Sequence, residues 1–425
     1  MPDARAYQIE TFDSADKNID QVDTASATRY CGPLEMTVDR DPASLVAEHF
    51  GSGANPSLVS VPGRANLIGE HIDYHNLPVL PIAIQRRIRI AFRARGDRRI
   101  RAVSEGPFGE REFEWTEHLA PGRPGDWVNY LKAAAQAAAG RWHLERGIDA
   151  VVVSDLPPAA GLASSSALLT GFTLALLRAN GVHPTFEELM EVLPDGEQFV
   201  GTRGGAMDHA AVLRSKSGCA LLVHFAPLSV CSAPIPQGWA FLVAHSLTTA
   251  EKSGAIRAQF NSRRTAGSRA LKRLGFASYG AALEEHPWSE LRALAGGQLD
   301  EEEMRSFLHV AGEALRVNDA IAALRDADAG AFGQALNASH ESLRDQLRVS
   351  CPALDALVAV ARDSGALGAR LTGAGFGGCA VIFCDGSDLE RVRAGLVRRY
   401  YAKCSGFDPD MHLITAEPSA GALLD

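Results

Sequence analysis

Gly63-Arg64-Ala65-Asn66-Leu67-Ile68-Gly69-Glu70-His71-Ile72-Asp73-Tyr74 sets a cation, a carboxamide, two carboxylates and an imidazole within a dozen residues. An apolar run, Val79-Leu80-Pro81-Ile82-Ala83-Ile84, follows it. A plain surface loop rarely carries so much polar chemistry beside so much apolar sequence. Arg64 suits a phosphate, and Glu70, His71 and Asp73 suit the hydroxyls of a small polyol.

Three later segments extend this reading. Leu156-Pro157-Pro158-Ala159-Ala160-Gly161-Leu162-Ala163-Ser164-Ser165-Ser166-Ala167 lies between a buried strand and a helix. Small residues let a phosphate approach the backbone, and a helix N-terminus supplies positive potential. Ser164 and Ser165 add hydroxyls for phosphate oxygens or for Mg2+, which takes oxygen ligands. A serine N-cap on an ordinary helix explains the same residues equally well. In Gly201-Thr202-Arg203-Gly204-Gly205-Ala206-Met207-Asp208-His209, glycines beside Asp208 let a substrate lie against the backbone. Asp208 could take a hydroxyl proton during phosphoryl transfer. A glycine turn with a capping Asp is the plainer account. Arg370-Leu371-Thr372-Gly373-Ala374-Gly375-Phe376-Gly377-Gly378-Cys379 reads as a substrate-facing turn or as a glycine-rich hairpin. Trp127-Val128-Asn129-Tyr130 offers an aromatic wall for adenine, or a buried Trp at a helix start.

Composition sets the frame. The chain has 425 residues, long for one domain and comfortable for two. Its formal charge is −9, with 46% hydrophobic and 22% charged residues. A mildly acidic chain without a long basic run is a poor nucleic-acid binder. No apolar run has the length of a membrane span. Seven cysteines without a Cys-x-x-Cys pair argue against a disulfide framework or structural zinc. The polar, acidic start lacks the apolar segment of a secretory signal, so a cytoplasmic protein is expected.

Periodicity predicts a mixed α+β order without regular βαβ alternation. Helices are expected over 43–50, 127–141, 166–179, 185–193, most of 254–361 and 389–401. Strands are expected over 57–61, 82–95, 100–103, 112–115, 150–154, 219–225, 240–244, 368–372 and 379–384. Residues 1–38 read as an extension.

The four segments, in this order, resemble the galactokinase branch of the GHMP small-molecule kinases, from about Leu45 to the C-terminus. The resemblance implies two domains, 39–215 and 216–425. The first would be like domain 2 of ribosomal protein S5 and the second ferredoxin-like, with the active site in the cleft between them. It implies ATP-dependent phosphorylation of the anomeric hydroxyl of a galactose-type sugar. Carried over by position, Asp208 would be the base and Arg64 would stabilise charge on the phosphoryl group. Glu70, His71, Asp73 and the backbone at Gly205 would hold sugar hydroxyls. Ala159, Gly161, Ala163 and Ser164 would line the triphosphate, and Ser165 and Glu197 would approach Mg2+.

The chain departs from the common pattern at Ala159 (usually Gly), Ala163 (usually Ser), His209 (usually Gln) and in the spacing at Glu197. Phe260 stands where many galactokinases have a sugar-contacting Tyr. Ile72, Gly204-Gly205 and Phe260-Asn261 look instead like the N-acetylgalactosamine kinase subgroup. Galactose is the expected sugar and N-acetylgalactosamine the alternative. A GHMP kinase of another substrate and a catalytically silent sugar sensor are the remaining readings.

Overall fold

The first motif begins inside a strand. In the computed structural model, β1 (Ser57–Ile68) is buried from Val59 onward. An apolar pattern alone stops it at Val61, because Arg64 and Asn66 interrupt the run. Pairing with β2 (Leu80–Ala94) carries the strand on. The register shifts between Pro62 and Arg64 and again between Asn66 and Ile68. Such bulges bend a strand and re-aim its side chains, here Arg64 and Asn66.

The structure describes residues 41–106, 108–116, 118–157, 160–201, 205–248 and 254–424, without the side chains of 254–257. The extension expected over 1–38 and the phosphate-loop residue Ala159 lie outside them. Residues 41–424 belong to one compact unit.

α1 (Pro42–Phe50) is capped by Asp41, whose carboxylate accepts the Ala43 and Ser44 N–H groups. β3 (Arg99–Ser104), β4 (Gly109–Glu114), α2 (Val128–Arg141), β5 (Ile148–Ser154), α3 (Ser164–Ala179), α4 (Phe186–Phe199) and α5 (Met207–Arg214) follow. Next come the hairpin β6 (Cys219–Phe225) and β7 (Leu228–Pro234), then β8 (Trp239–His245). A helical stretch holds α6 (Gly254–Arg273), α7 (Tyr279–Glu285), α8 (Trp288–Gln298), α9 (Glu301–Arg325), α10 (Ala329–Ser342) and α11 (Pro352–Asp363). The chain closes with β9 (Gly368–Leu371), β10 (Cys379–Asp385), α12 (Leu389–Arg399), α13 (Pro409–His412), β11 (Leu413–Ala416) and β12 (Leu423–Leu424).

One sheet has the order β12-β1-β2-β5-β3-β4, with only β3 and β5 parallel. Its Val61, Ile90 and Val152 face the core that includes Phe172 of α3, while Ala91, Val151 and Val153 face Leu45 and Val46 of α1. A second sheet has the order β11-β8-β10-β9. Alternation along its strands, a period of two, divides Phe241, Val381 and Phe383 from Leu242, Ile382 and Cys384. The first set packs with Phe332 and Leu336 of α10, the second with Leu357 of α11 and Leu396 of α12. Expected and observed elements differ at α5, β7, β11 and β12, which the periodicity does not announce. No helix among the described residues is long and apolar enough to cross a membrane.

Candidate active site

Arg64 and Asp208 stand far apart in sequence and meet as a bidentate pair. Nε donates to Oδ1 at 2.8 Å and Nη2 to Oδ2 at 3.0 Å, while Nη1 donates to the Gly161 carbonyl. Two parallel N–H···O bonds fix direction as well as charge. Arg64 is buried, while the Asp208 side chain keeps 23% exposure, an open path to its carboxylate. Asp208 lies in the first turn of α5, whose N-cap is Ala206, so it is not the capping residue. The helix dipole favours an anion there.

The phosphate-loop candidate meets α3 at Ala163, which takes a left-handed φ of 60°. Among the described residues no side chain caps this helix, so its leading N–H groups are left for a ligand. That outcome removes the serine N-cap explanation. Gly161 (φ +76°) and Gly373 (φ +85°) lie against each other. A Cβ on Gly373 would stand 3.1 Å from the Gly161 carbonyl oxygen, so the phosphate loop and the late glycine turn pack as one surface.

Ser164 and Ser165 are half-buried on the first turn of α3. Ser166, not Ser165, carries the contact to Glu197: its buried hydroxyl donates to Oε1. The Ser166 hydroxyl oxygen also lies 3.4 Å from Asp208 Oδ2. Behind them His209 Nδ1 is 3.2 Å from the Thr170 hydroxyl, and Nε2 is 3.6 Å from Glu197 Oε1. Burial pushes the His209 pKa down against the pull of Glu197 and Asp208. Ser166 was legible only as one of three serines; its role needed the position of α4.

The sugar-side residues divide into two kinds. Glu70 is 2% exposed; its carboxylate accepts from the Asn66 amide and the Gly373 N–H and forms an ion pair with Arg370 Nη2 at 2.8 Å. The Thr372 hydroxyl is 3.4 Å away. Burial raises the Glu70 pKa, and Arg370 opposes the shift. A carboxylate has about four acceptor sites, and these contacts anchor Glu70 within the sugar segment.

His71 is also committed, at a left-handed φ of 63°. Burial lowers its pKa to about 3, so the ring is neutral. Nε2 then donates to the Ala374 carbonyl at 3.1 Å, and Nδ1 accepts from the Tyr74 hydroxyl at 3.0 Å. These two bonds fix the ring's orientation beside Asp73.

Asp73 remains open. It starts a 3-10 turn, Asp73–His75, and is half-buried. Burial first, then the charge of Asp208, raise its pKa to about 7. A Cβ on Gly205 would overlap the Asp73 carboxylate, so a larger residue there would displace that side chain. Phe260 of α6 closes this side, its ring 5.1 Å from His71 and 5.9 Å from Tyr74. Trp127 stands at the N-cap of α2. It is buried, and its indole N–H donates to the Phe108 carbonyl at 3.0 Å.

Asp73, Asp208 and the outer edge of Arg64 can therefore meet hydroxyls, while the α3 N-terminus and the glycine turn can meet phosphate. Glu197 with a serine hydroxyl fits Mg2+, which usually keeps one or two protein ligands and completes its shell with phosphate oxygens and water.

Three family models match this chain: the galactokinase galactose-binding signature over residues 47–94, the GHMP kinases N terminal domain over 129–216 and GHMP kinases C terminal over 320–403. A galactokinase of Roseiflexus sp. is 32% identical over 380 residues, covering 89% of this chain and 95% of its own. A Chloroflexus aurantiacus galactokinase is 35% identical over 349 residues, covering 81% and 87%. The crystal structure of Lactococcus lactis galactokinase complexed with galactose superposes with a TM-score of 0.81 at 27% identity, covering 90% of this chain and 98% of that one. A mevalonate kinase, at 16% identity and a TM-score of 0.59, shares the fold.

Proposed function

The chain belongs to the galactokinase family of GHMP kinases, and on that premise we propose that it transfers the γ-phosphoryl group of ATP to the anomeric hydroxyl of galactose. The products are α-galactose 1-phosphate and ADP. The observation that carries this reading is the Arg64–Asp208 pair, set beside the uncapped start of α3 and the glycine turn. It puts a base and a cation at the junction of a hydroxyl site and a phosphate site.

In this mechanism Asp73 and the backbone at Gly205 orient the sugar. Asp208 accepts the anomeric proton as the oxygen attacks phosphorus. Arg64 aligns Asp208 and meets charge that builds on the transferred group. The α3 N-terminus, with Gly161, Ala163 and Ser164, cradles the triphosphate. Glu197 with Ser165 or Ser166 would hold Mg2+, which supplies charge neutralisation to the phosphates when bound. Glu70 and His71 keep the sugar segment in place. Residues 39–215 would supply most of the phosphate and sugar motifs, and 216–425 the closing turn.

The signature and the relatives support galactose. Phe260 is the position at which N-acetylgalactosamine would be discriminated, since a Tyr-to-Phe exchange frees the space of one hydroxyl. ADP release with Mg-ATP and a panel of galactose, N-acetylgalactosamine, galactosamine, glucose and arabinose tests the reading. Fastest turnover on galactose is expected. Preference for N-acetylgalactosamine would move the assignment, and sugar binding without turnover on any would indicate a sensor.

A further inference from the structure

Arg370 is fully buried, its Nη1 hydrogen-bonded and its Nη2 ion-paired, while Nε has no hydrogen-bond partner among the described residues. Nη2 meets Glu70 Oε2 at 2.8 Å and lies 3.8 Å from Glu313 Oε1 of α9. Nη1 donates to the Asn66 and Leu67 carbonyls at 3.2 and 3.0 Å. Glu313 in turn pairs with Arg316 at 2.8 Å and accepts the Ser339 hydroxyl. Glu70, Arg370, Glu313 and Arg316 thus alternate in sign from the sugar segment through the core to the outer side of α9. Desolvating such charges is costly and is not by itself a source of stability. Its persistence here calls for a positional reason.

The reason lies in what the ladder grips. Glu313 accepts the Gly69 N–H at 3.0 Å, and His309 Nε2 donates to the Glu70 carbonyl at 3.0 Å. With Arg370 on Asn66 and Leu67, the backbone just before His71 and Asp73 is held at four residues from β9 and α9. Glu70 Oε1 also takes the Gly373 N–H, and Gly373 rests on Gly161. Gly161 in turn accepts from Arg64. A continuous path therefore joins Arg370, Glu70, the 372–375 turn, the phosphate loop and the catalytic pair.

We infer that Arg370 is a positioning residue for both substrates: by fixing Glu70 it holds the sugar segment directly and the phosphate loop through the glycine turn. This rests on the sugar-kinase reading above. Small misplacements of a reacting geometry cost on the order of tenfold to a hundredfold.

The test compares the full-length protein with Arg370→Lys and with Glu313→Gln, using calorimetric titration of galactose and, separately, of a non-hydrolysable ATP analogue with Mg2+. Melting temperature is recorded alongside. Both dissociation constants should rise about tenfold or more in Arg370→Lys and in the same direction in Glu313→Gln. A merely structural role would lower the melting temperature and leave both constants unchanged in the folded fraction, and that outcome overturns the inference. Loss of sugar affinity alone would overturn its phosphate-loop half. Should neither variant fold, hydrogen exchange on the unaltered protein decides: galactose alone should slow amides in both 372–375 and 160–164, and no change at 160–164 overturns it. An unaltered protein that binds neither ligand would instead sink the kinase reading.

Discussion

Arg64 grips both carboxylate oxygens of Asp208, at 2.8 and 3.0 Å, across 144 residues of sequence. The third arm of the same guanidinium holds the Gly161 carbonyl. One side chain thereby sets the base, the phosphate loop and the bulged end of β1 in a common frame. Arg suits this task because its planar fork is rigid, whereas Lys offers a point charge on a flexible stem.

Asp208→Asn keeps the shape of the pair and removes the proton acceptor. General-base removal costs about 10²- to 10⁴-fold, so kcat should drop by that order. Nucleotide affinity should stay within a few-fold, because the α3 N-terminus is untouched. ADP release and calorimetric titration measure the two quantities. Near-normal turnover would remove Asp208 as the base.

Much of this frame was legible in the sequence. The alternation over 82–95 matches β2 (Leu80–Ala94), and the closing helix expected over 389–401 matches Leu389–Arg399. Arg64, Asp73 and Asp208 stand out in sequence because each sits in a dense polar motif. Glu70 and His71 lie in the same motif, yet their roles were not readable. Their partners, Gly373 and Ala374, come from 303 residues away, and only tertiary structure brings these contacts together. α5 was hidden because a glycine run precedes it and reads as a turn. β12 is only Leu423–Leu424, and pairing with β1 alone defines it.

Asp73 should make sugar binding pH-dependent near neutrality. Its pKa is raised to about 7 by burial and by Asp208. Below that pH it is protonated, and above it is an anion able to accept sugar hydroxyl protons. Galactose affinity measured between pH 6 and 8 should strengthen as pH rises and level off above the pKa. Asp73→Asn should bind more weakly and show a flatter profile. The stability sign is opposite. A raised carboxyl pKa contributes stability that is complete below the unfolded value near 3.8 and lost as pH rises through about 7. An unchanged profile in the variant would assign the titration to another group.

Gly205→Ala probes the same contact by shape. The added Cβ would overlap the Asp73 carboxylate, so one of the two must move. Sugar KM should rise on the order of tenfold, while the ATP KM changes little. Equal effects on both would mean that Gly205 serves the backbone path of α5 and not the sugar.

Acid should weaken the fold through its buried imidazoles. Burial holds His71 at about 3 and His309 at about 4, against the usual imidazole value of 6.5. Both rings are neutral and bonded in the native protein, so they add no pH dependence above 6.5. As pH falls from 6.5 towards 4, the unfolded chain takes up protons that the folded chain refuses, and stability is lost. Asp73 pulls the other way throughout this window, so a single curve mixes the two signs. His309→Gln separates them, since an amide still donates to the Glu70 carbonyl but does not titrate. At pH 7 the variant should be the less stable, through lost packing. Its melting temperature should then fall less steeply than that of the unaltered protein between pH 6.5 and 4. Parallel curves would show that His309 shares its proton equally between folded and unfolded states, contrary to its full burial behind Glu70.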